Sequence, residues 1–328
     1  MEDYIIRKIS KKRGDKYYHK YYDKKDKLIK DKAFIQKIID GIYISPAYDN
    51  VKINKKKTAK VRAIGYDTER RPQYIYNKKF IEDQKEKKFN HMSAFGKKFT
   101  KINEKINEDL YSTKDSKEKQ VALILKLIME CHFRVGNERY SKKYKSYGTT
   151  TLENKHVKVK KDHVIIDFVG KKKVRNICTV RNKKVVKTLR EKKKTLKKND
   201  RVFTYRKGDD YFNIQSSDVN KYLKQFGKFS AKNFRTWGAN VELIVQINQY
   251  CKKGGKIDTQ KKADDCIKES IHEVACKLHN TSAVCKSNYI DPELIKFFKN
   301  DSEGFLRHFD VSSKEELYKK YVSFLDNL

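Results

Sequence analysis

The chain is poor in acid, in proline and in long apolar runs, and each shortage excludes something. Only 42 Asp and Glu stand against 79 Lys and Arg, leaving a net charge of +37. Such a field concentrates polyanions and repels itself without them, so acidic partners are expected and nucleic acid first among them. No apolar run approaches the roughly 18 residues of a spanning helix, and the opening MEDYIIRKISKKR has no signal-type core, so neither a membrane protein nor a secreted one is expected. The six cysteines (131, 178, 251, 266, 276 and 285) include no CxxC pair. They support neither a zinc site nor a disulfide framework and are expected as reduced thiols, mostly buried. Only three prolines occur, alongside abundant Lys, Asn and Ile, a usage that points to an AT-rich genome. No internal repeat or long low-complexity segment is present.

Disorder is the other thing this much charge could mean. Against it stand 38% hydrophobic and 12% aromatic residues, together with apolar periodicity that continues to the last residue. At 328 residues the chain is long enough for two domains, expected at 1–88 and 89–328. The first contains short alternating segments, YIIRKI, DGIYIS, AKVRAIGYD and QYIYNKKF, separated by lysine-rich turns, and reads as a small β-rich domain. The polar stretch EDQKEKK, residues 82–88, is the expected hinge.

The second domain reads as mainly α. KEKQVALILKLIMECHFRVG is apolar almost all round and is expected as a central buried helix stopping at Gly136, with Arg134 at the edge of a core. KHVKVKK, HVIIDFV and VRNICTV have period two and predict a three-stranded antiparallel sheet whose last hairpin turns on Gly170-Lys171-Lys172-Lys173. The remainder is expected to be helical. SSDVNKYLKQFG runs from serine to Gly227, NFRTWGANVELIVQINQY has an apolar stripe, and Asp291-Pro292 opens another helix. The last helix has a Ser313 to Glu316 capping box and an apolar face of Leu317, Tyr321, Phe324 and Leu328. The fold class is thus α+β, a small β-rich domain and a mainly α domain with an inserted sheet.

Chemistry enters at LHNTSAVCKSNYIDP, where Tyr289 follows Lys286 by three residues. A tyrosine hydroxyl has a pKa near 10, so attack on a phosphodiester needs cations that favour the phenolate and the charge growing on phosphorus-bound oxygens. Arg134 and Arg235, each beside a rigid element, supply forked donors for that purpose. A lysine on a cationic turn, Lys171, is a candidate proton donor to a leaving ribose oxygen. Cys285 is the rival nucleophile, but no histidine is paired with it.

In sequence order, FRVGNERY, TLENKHVKV, FVGKKKV, KNFRTWG and LHNTSAVCKSNY resemble the signature segments of type IB DNA topoisomerases of the small poxvirus and bacterial kind. The resemblance runs from about Tyr43 to Phe298. It implies the catalytic fold shared by these enzymes and the tyrosine recombinases, with Arg134, Lys171 and Arg235 as the catalytic cations and Tyr289 as nucleophile. Where poxvirus enzymes have a phosphate-binding histidine, Asn280 stands here, as in the bacterial segment LGNTPAVC, and His279 lies one residue earlier; a loop shifted by one would exchange them. Lys172 replaces an acidic residue of the poxvirus enzymes.

The same resemblance implies major-groove contacts from Gln73, Tyr74 and Tyr76; Lys155 and His156 in the ENKH turn are expected at the DNA backbone, and Lys232 and Lys286 are expected to bind DNA as well. It also implies a monomer clamping double-stranded DNA, relaxing supercoils of both signs through a 3′-phosphotyrosyl link, with neither metal nor nucleotide cofactor. Its expected place is inside the cell, in virions or cytoplasmic replication sites for a large DNA virus, or in the cytoplasm and nucleoid for a bacterium. A site-specific tyrosine recombinase is the near alternative, although Lys232 stands where recombinases usually have histidine. A non-catalytic basic DNA binder is the third reading.

Overall fold

The computed structural model describes residues 1–113, 115–254 and 257–328, which divide into two compact units, Met1–Phe89 and Asn90–Leu328. In the first unit, strands β1 (Tyr4–Arg13), β2 (Lys16–Tyr22), β3 (Asp49–Asn54), β4 (Val61–Tyr66) and β5 (Pro72–Tyr76) form an antiparallel sheet in the order β2-β1-β3-β4-β5. Alternation sends Ile5, Val51, Ile53 and Ala63 to one face, where Ile38 of helix α1 (Lys32–Ile39) joins them. DGIYIS is not a strand, as its period suggested. It is an irregular link after α1, yet Ile42 and Ile44 still pack on this core, so burial rather than pairing accounts for their spacing.

Helix α2 (Lys78–Tyr111) begins immediately after β5. The expected hinge is therefore helical. Its charges alternate in sign on an exposed helix, and the apolar stripe of the same helix starts only at Met92 and continues through Phe95, Phe99, Ile102, Ile106 and Leu110.

The second unit is built around α3 (Lys117–Cys131), which is buried on nearly every side. It ends at Cys131, short of Gly136, because His132 takes the left-handed conformation (φ 51°) and the buried ring of Phe133 draws the chain into the core. Helix α4 (Glu138–Tyr144) and two 3₁₀ turns lead into the sheet β6 (Val157–Val159), β7 (Val164–Val169) and β8 (Arg175–Val180), antiparallel as expected. Cys131 is disulfide-bonded to Cys178 in β8, with Cα atoms 5.7 Å apart, a correction to the expectation of six thiols; their separation of 47 residues carries no motif.

Helix α5 (Lys183–Thr195) follows, and then a hairpin, β9 (Thr204–Lys207) and β10 (Asp210–Asn213), interrupts what was expected to be helix throughout. The rest is helical: α6 (Ser216–Leu223), α7 (Ala231–Gly254), α8 (Gln260–Lys277), α9 (Ser282–Asn288), α10 (Pro292–Asn300), α11 (Ser302–His308) and α12 (Lys314–Asp326). Trp237 of α7 packs against Phe95 and Phe99 of α2 and Tyr318 and Tyr321 of α12. Gly96 makes the room, since a Cβ there would lie 2.5 Å from the indole.

At the start of α12 the Ser313 hydroxyl accepts the Glu316 N–H (3.2 Å), while the Glu316 carboxylate reaches Ser312, one residue before the expected partner. Leu317, Tyr321 and Phe324 are buried; Leu328, past the helix end, is 65% exposed and leaves the expected face. No helix among the described residues is long and apolar enough to cross a membrane.

Candidate active site

Arg134 is held by its backbone. Its carbonyl accepts the N–H (2.8 Å) and hydroxyl (3.1 Å) of Thr149, and the Val135 carbonyl accepts both groups of Thr150 (2.7 and 2.9 Å). Gly148 lies so close that a Cβ on it would be 2.5 Å from the Gly136 Cα and 2.7 Å from the Arg134 oxygen. Arg201 fastens the threonine turn from behind, donating to the Thr151 carbonyl and to Glu138 and Glu153. Nothing in the sequence marked Thr149, Thr150 or Arg201, although three adjacent threonines after a glycine in a lysine-rich stretch are a usable sign of a buried turn.

Arg235 lies in the second turn of α7 and is 3% exposed, with Lys232 one turn before it at the surface. Its Nη2 donates to the Leu278 carbonyl (3.2 Å) and to the Tyr289 hydroxyl (3.4 Å), and its guanidinium carbon is 5.1 Å from the centre of the Tyr289 ring. Tyr289 caps the C-terminus of α9. Its own carbonyl accepts from the Asn240 side chain (2.9 Å), which in turn accepts the Asp291 N–H (2.7 Å). Asn240 is fully buried and was missed; an asparagine within the apolar stripe of α7 was its only sign.

Burial alone would push the Tyr289 hydroxyl up. Arg235, with Arg134 and Lys232 farther off, more than offsets that and holds it below the ordinary tyrosine value. Cys285 meets the opposite balance. Burial pushes its thiol up to about 11 despite Arg235, which disfavours the thiolate a nucleophile needs.

Arg134 Nη2 donates to Asn280 Oδ1 at 2.8 Å, which orients the amide. Asn280 Nδ2, Arg235 Nε and Arg235 Nη1 are then buried donors with no partner among the described residues. His279 is turned elsewhere: its backbone is left-handed (φ 53°), its ring stacks on Phe133 at 5.6 Å, and burial, then Arg235 and Arg134, lowers its pKa to about 4. Arg134 with Asn280 and Arg235 with Tyr289 thus form two hydrogen-bonded pairs, and Arg134 acts electrostatically on both members of the second, which makes one cluster.

Other residues expected at the site stand apart from that cluster. Lys171 is at the β7–β8 turn, exposed, its side chain making no hydrogen bond or ion pair among the described residues. The next two, Lys172 and Lys173, are left-handed (φ 60° and 59°), a conformation that costs about 1–2 kcal/mol for each non-glycine residue. Lys155 is exposed and paired with Glu153 (2.5 Å), and Lys286 is exposed on α9. His156 is buried, accepts the Glu153 N–H through Nδ1 (3.0 Å) and packs on Tyr147, so it closes its own turn instead of facing outward. In the first unit, Tyr74 and Tyr76 stack side by side on the exposed face of β5, 6.2 Å apart. Gln73 is on the other face, donating to Asp67 at 2.9 Å.

Chemically, the cluster has a phenol acidified by a guanidinium and several donors gathered at one place, an arrangement for binding a tetrahedral anion and attacking it. Among the described residues no group of three or more His, Cys, Asp or Glu could hold a metal.

Comparison with known proteins agrees with this chemistry. The chain is 29% identical over 305 residues to the DNA topoisomerase 1B of Acanthamoeba polyphaga mimivirus, covering 90% of this chain and 89% of that protein. It is 25% identical over 308 residues to the DNA topoisomerase 1B of Vaccinia virus (strain Copenhagen), covering 89% and 92%. DNA topoisomerase 1 of Daucus carota matches at 30% over 156 residues, 45% of this chain and 18% of the plant protein. Residues 77–304, well over half the chain, match the model of the eukaryotic DNA topoisomerase I catalytic core, and the chain belongs to that family.

Proposed function

We propose that this type IB DNA topoisomerase cleaves one strand of duplex DNA through Tyr289, with Arg134, Arg235 and Asn280 holding the scissile phosphate. The observation that carries the reading is that Arg235 and Asn280 have buried donors with no partner among the described residues, beside a tyrosine whose hydroxyl is acidified by Arg235.

The Tyr289 oxygen attacks phosphorus, its proton passing to solvent, and the bond to the ribose 5′-oxygen breaks. The two arginines and the Asn280 amide receive the charge that grows on the non-bridging oxygens. Lys171, on its exposed turn, gives a proton to the departing 5′-oxygen once duplex is bound. The products are a 3′-phosphotyrosyl link and a 5′-hydroxyl. Rotation about the intact strand releases supercoils of either sign, and the 5′-hydroxyl then attacks phosphorus to restore the strand and free Tyr289. One phosphoester replaces another at each step, so no nucleotide is consumed.

In the same reading the protein acts as a monomer, with domains 1–88 and 89–328 closing on the duplex and Tyr74, Tyr76, Lys155, Lys232 and Lys286 along it. Plasmid relaxation in EDTA without nucleotide tests the proposal. Positive and negative supercoils should both relax, and Tyr289→Phe should relax neither; full activity of that variant would contradict the assignment.

A further inference from the structure

The second unit contains a cavity of about 620 Å³, lined in part by residues close in the chain to those of the catalytic cluster. Its walls include the chain neighbours of the cluster: His132 two residues before Arg134, Phe234 just before Arg235, and His279 just before Asn280. Neither the proposed chemistry nor the DNA contacts use this space.

The volume falls within the range of small-molecule sites, and the walls combine aromatic rings with a few polar groups, as such sites do. Phe99, Trp237 and Tyr318, packed on one another at 5.6 and 4.9 Å, give the cavity an aromatic wall against which a ring would pack. Two walls carry buried nitrogens with no partner among the described residues, Trp237 Nε1 and His132 Nδ1.

Charge selects the sign of the occupant. The two carboxylates in the wall are engaged, Glu242 with Lys277 and Gln246, and Glu130 with the Arg181 N–H at 2.9 Å. Of the cations, Lys277 is neutralised by Glu242, and Lys126 donates to Asn103 at 2.7 Å and is acted on by the Glu130 charge. Lys314, at the start of α12, is exposed and makes no ion pair among the described residues. An anion therefore gains a cation here without displacing an acid.

We propose that this cavity is a binding site for a planar aromatic anion, separate from the surface that takes DNA.

Trp237 is the chain's single tryptophan and lies in the cavity wall, so there is one reporter, and a substitution in the wall separates this place from probe bound elsewhere. The wild-type protein is titrated with 1-anilinonaphthalene-8-sulfonate, following Trp237 quenching and energy transfer to the probe. Saturation at one probe per chain is expected, unchanged by excess duplex DNA. Lys314→Glu should weaken the probe about tenfold or more, and the uncharged N-phenyl-1-naphthylamine should bind wild type more weakly by a similar factor. Lys314 is exposed, so its variant is expected to fold, and the uncharged probe tests the charge preference without any substitution. Absence of saturable Trp237 quenching, loss of the probe on adding duplex, or equal binding of charged and uncharged probes would overturn the proposal.

Discussion

In the proposed mechanism, Asn280 determines how the chemistry responds to pH. A carboxamide donates its N–H without titrating, so the cleavage rate should show no histidine step between about pH 5 and 7. Asn280→His should keep the donor and introduce such a step. Asn280→Asp, which places a carboxylate against the phosphate, should lower single-turnover cleavage by roughly 10²-fold or more, the usual loss when one charge-stabilising donor is removed. Rates measured across pH for the three proteins decide the matter. The sequence alone left Asn280 and His279 open, because a loop shifted by one residue exchanges them; the left-handed backbone at His279 and its ring on Phe133, beside the Arg134–Asn280 hydrogen bond, are what favour Asn280 in the proposal.

Three histidines tie stability to pH in the same way. Burial is the first cause holding His132, His156 and His279 at about 4. The unfolded chain binds a proton at each near pH 6.5 while the folded protein does not, so their contribution is complete above about 6.5 and is lost as pH falls towards 4. Denaturant unfolding at pH 7 and pH 5 should show lower stability at pH 5, with a limiting slope of about 1.4 kcal/mol per pH unit for each histidine. Equal stability at the two values would mean that these rings titrate freely in the folded protein.

At the scale of elements, the loop from α3 to the threonine turn matters most, since it fixes Arg134 by its backbone. Gly148→Ala would drive a methyl group into the Gly136 backbone and the Arg134 carbonyl. We expect relaxation slower by about tenfold or more, from a displacement of the kind that costs far more in rate than in fold, and a lower melting temperature; assay and thermal melt on one preparation check both. The sequence made β7, β8, α7 and α10 legible because period, caps and proline agree there. It misplaced the end of α3, since the left-handed His132 caps the helix four residues before Gly136, whose own positive φ (99°) belongs to the following loop, and it missed the β9–β10 hairpin, whose strands are four residues each and largely exposed. Contacts between distant segments, such as Thr149 with Arg134 or Asn240 with Tyr289, leave no periodic trace at all.

For the molecule as a whole, the net charge of +37 makes salt the dominant external variable. Duplex affinity should fall steeply between 50 and 200 mM salt, by roughly 10³-fold or more if six or more phosphates are neutralised. A fluorescence-anisotropy titration at several salt concentrations measures the slope, and a flat one would mean that most of the lysines never meet the backbone. Composition was enough to indicate a polyanionic partner. The order of five short segments was needed to indicate the reaction, and the geometry around Arg235 to show why Tyr289, and not Cys285, is suited to it.

The most direct test is the identity of the covalent bond. Plasmid DNA and protein are mixed, trapped with detergent, digested with nuclease and protease, and the peptides analysed by mass spectrometry. A nucleotide joined through its 3′-phosphate to Tyr289 is the predicted result. An adduct on another residue, or a link through a 5′-phosphate, would contradict the account.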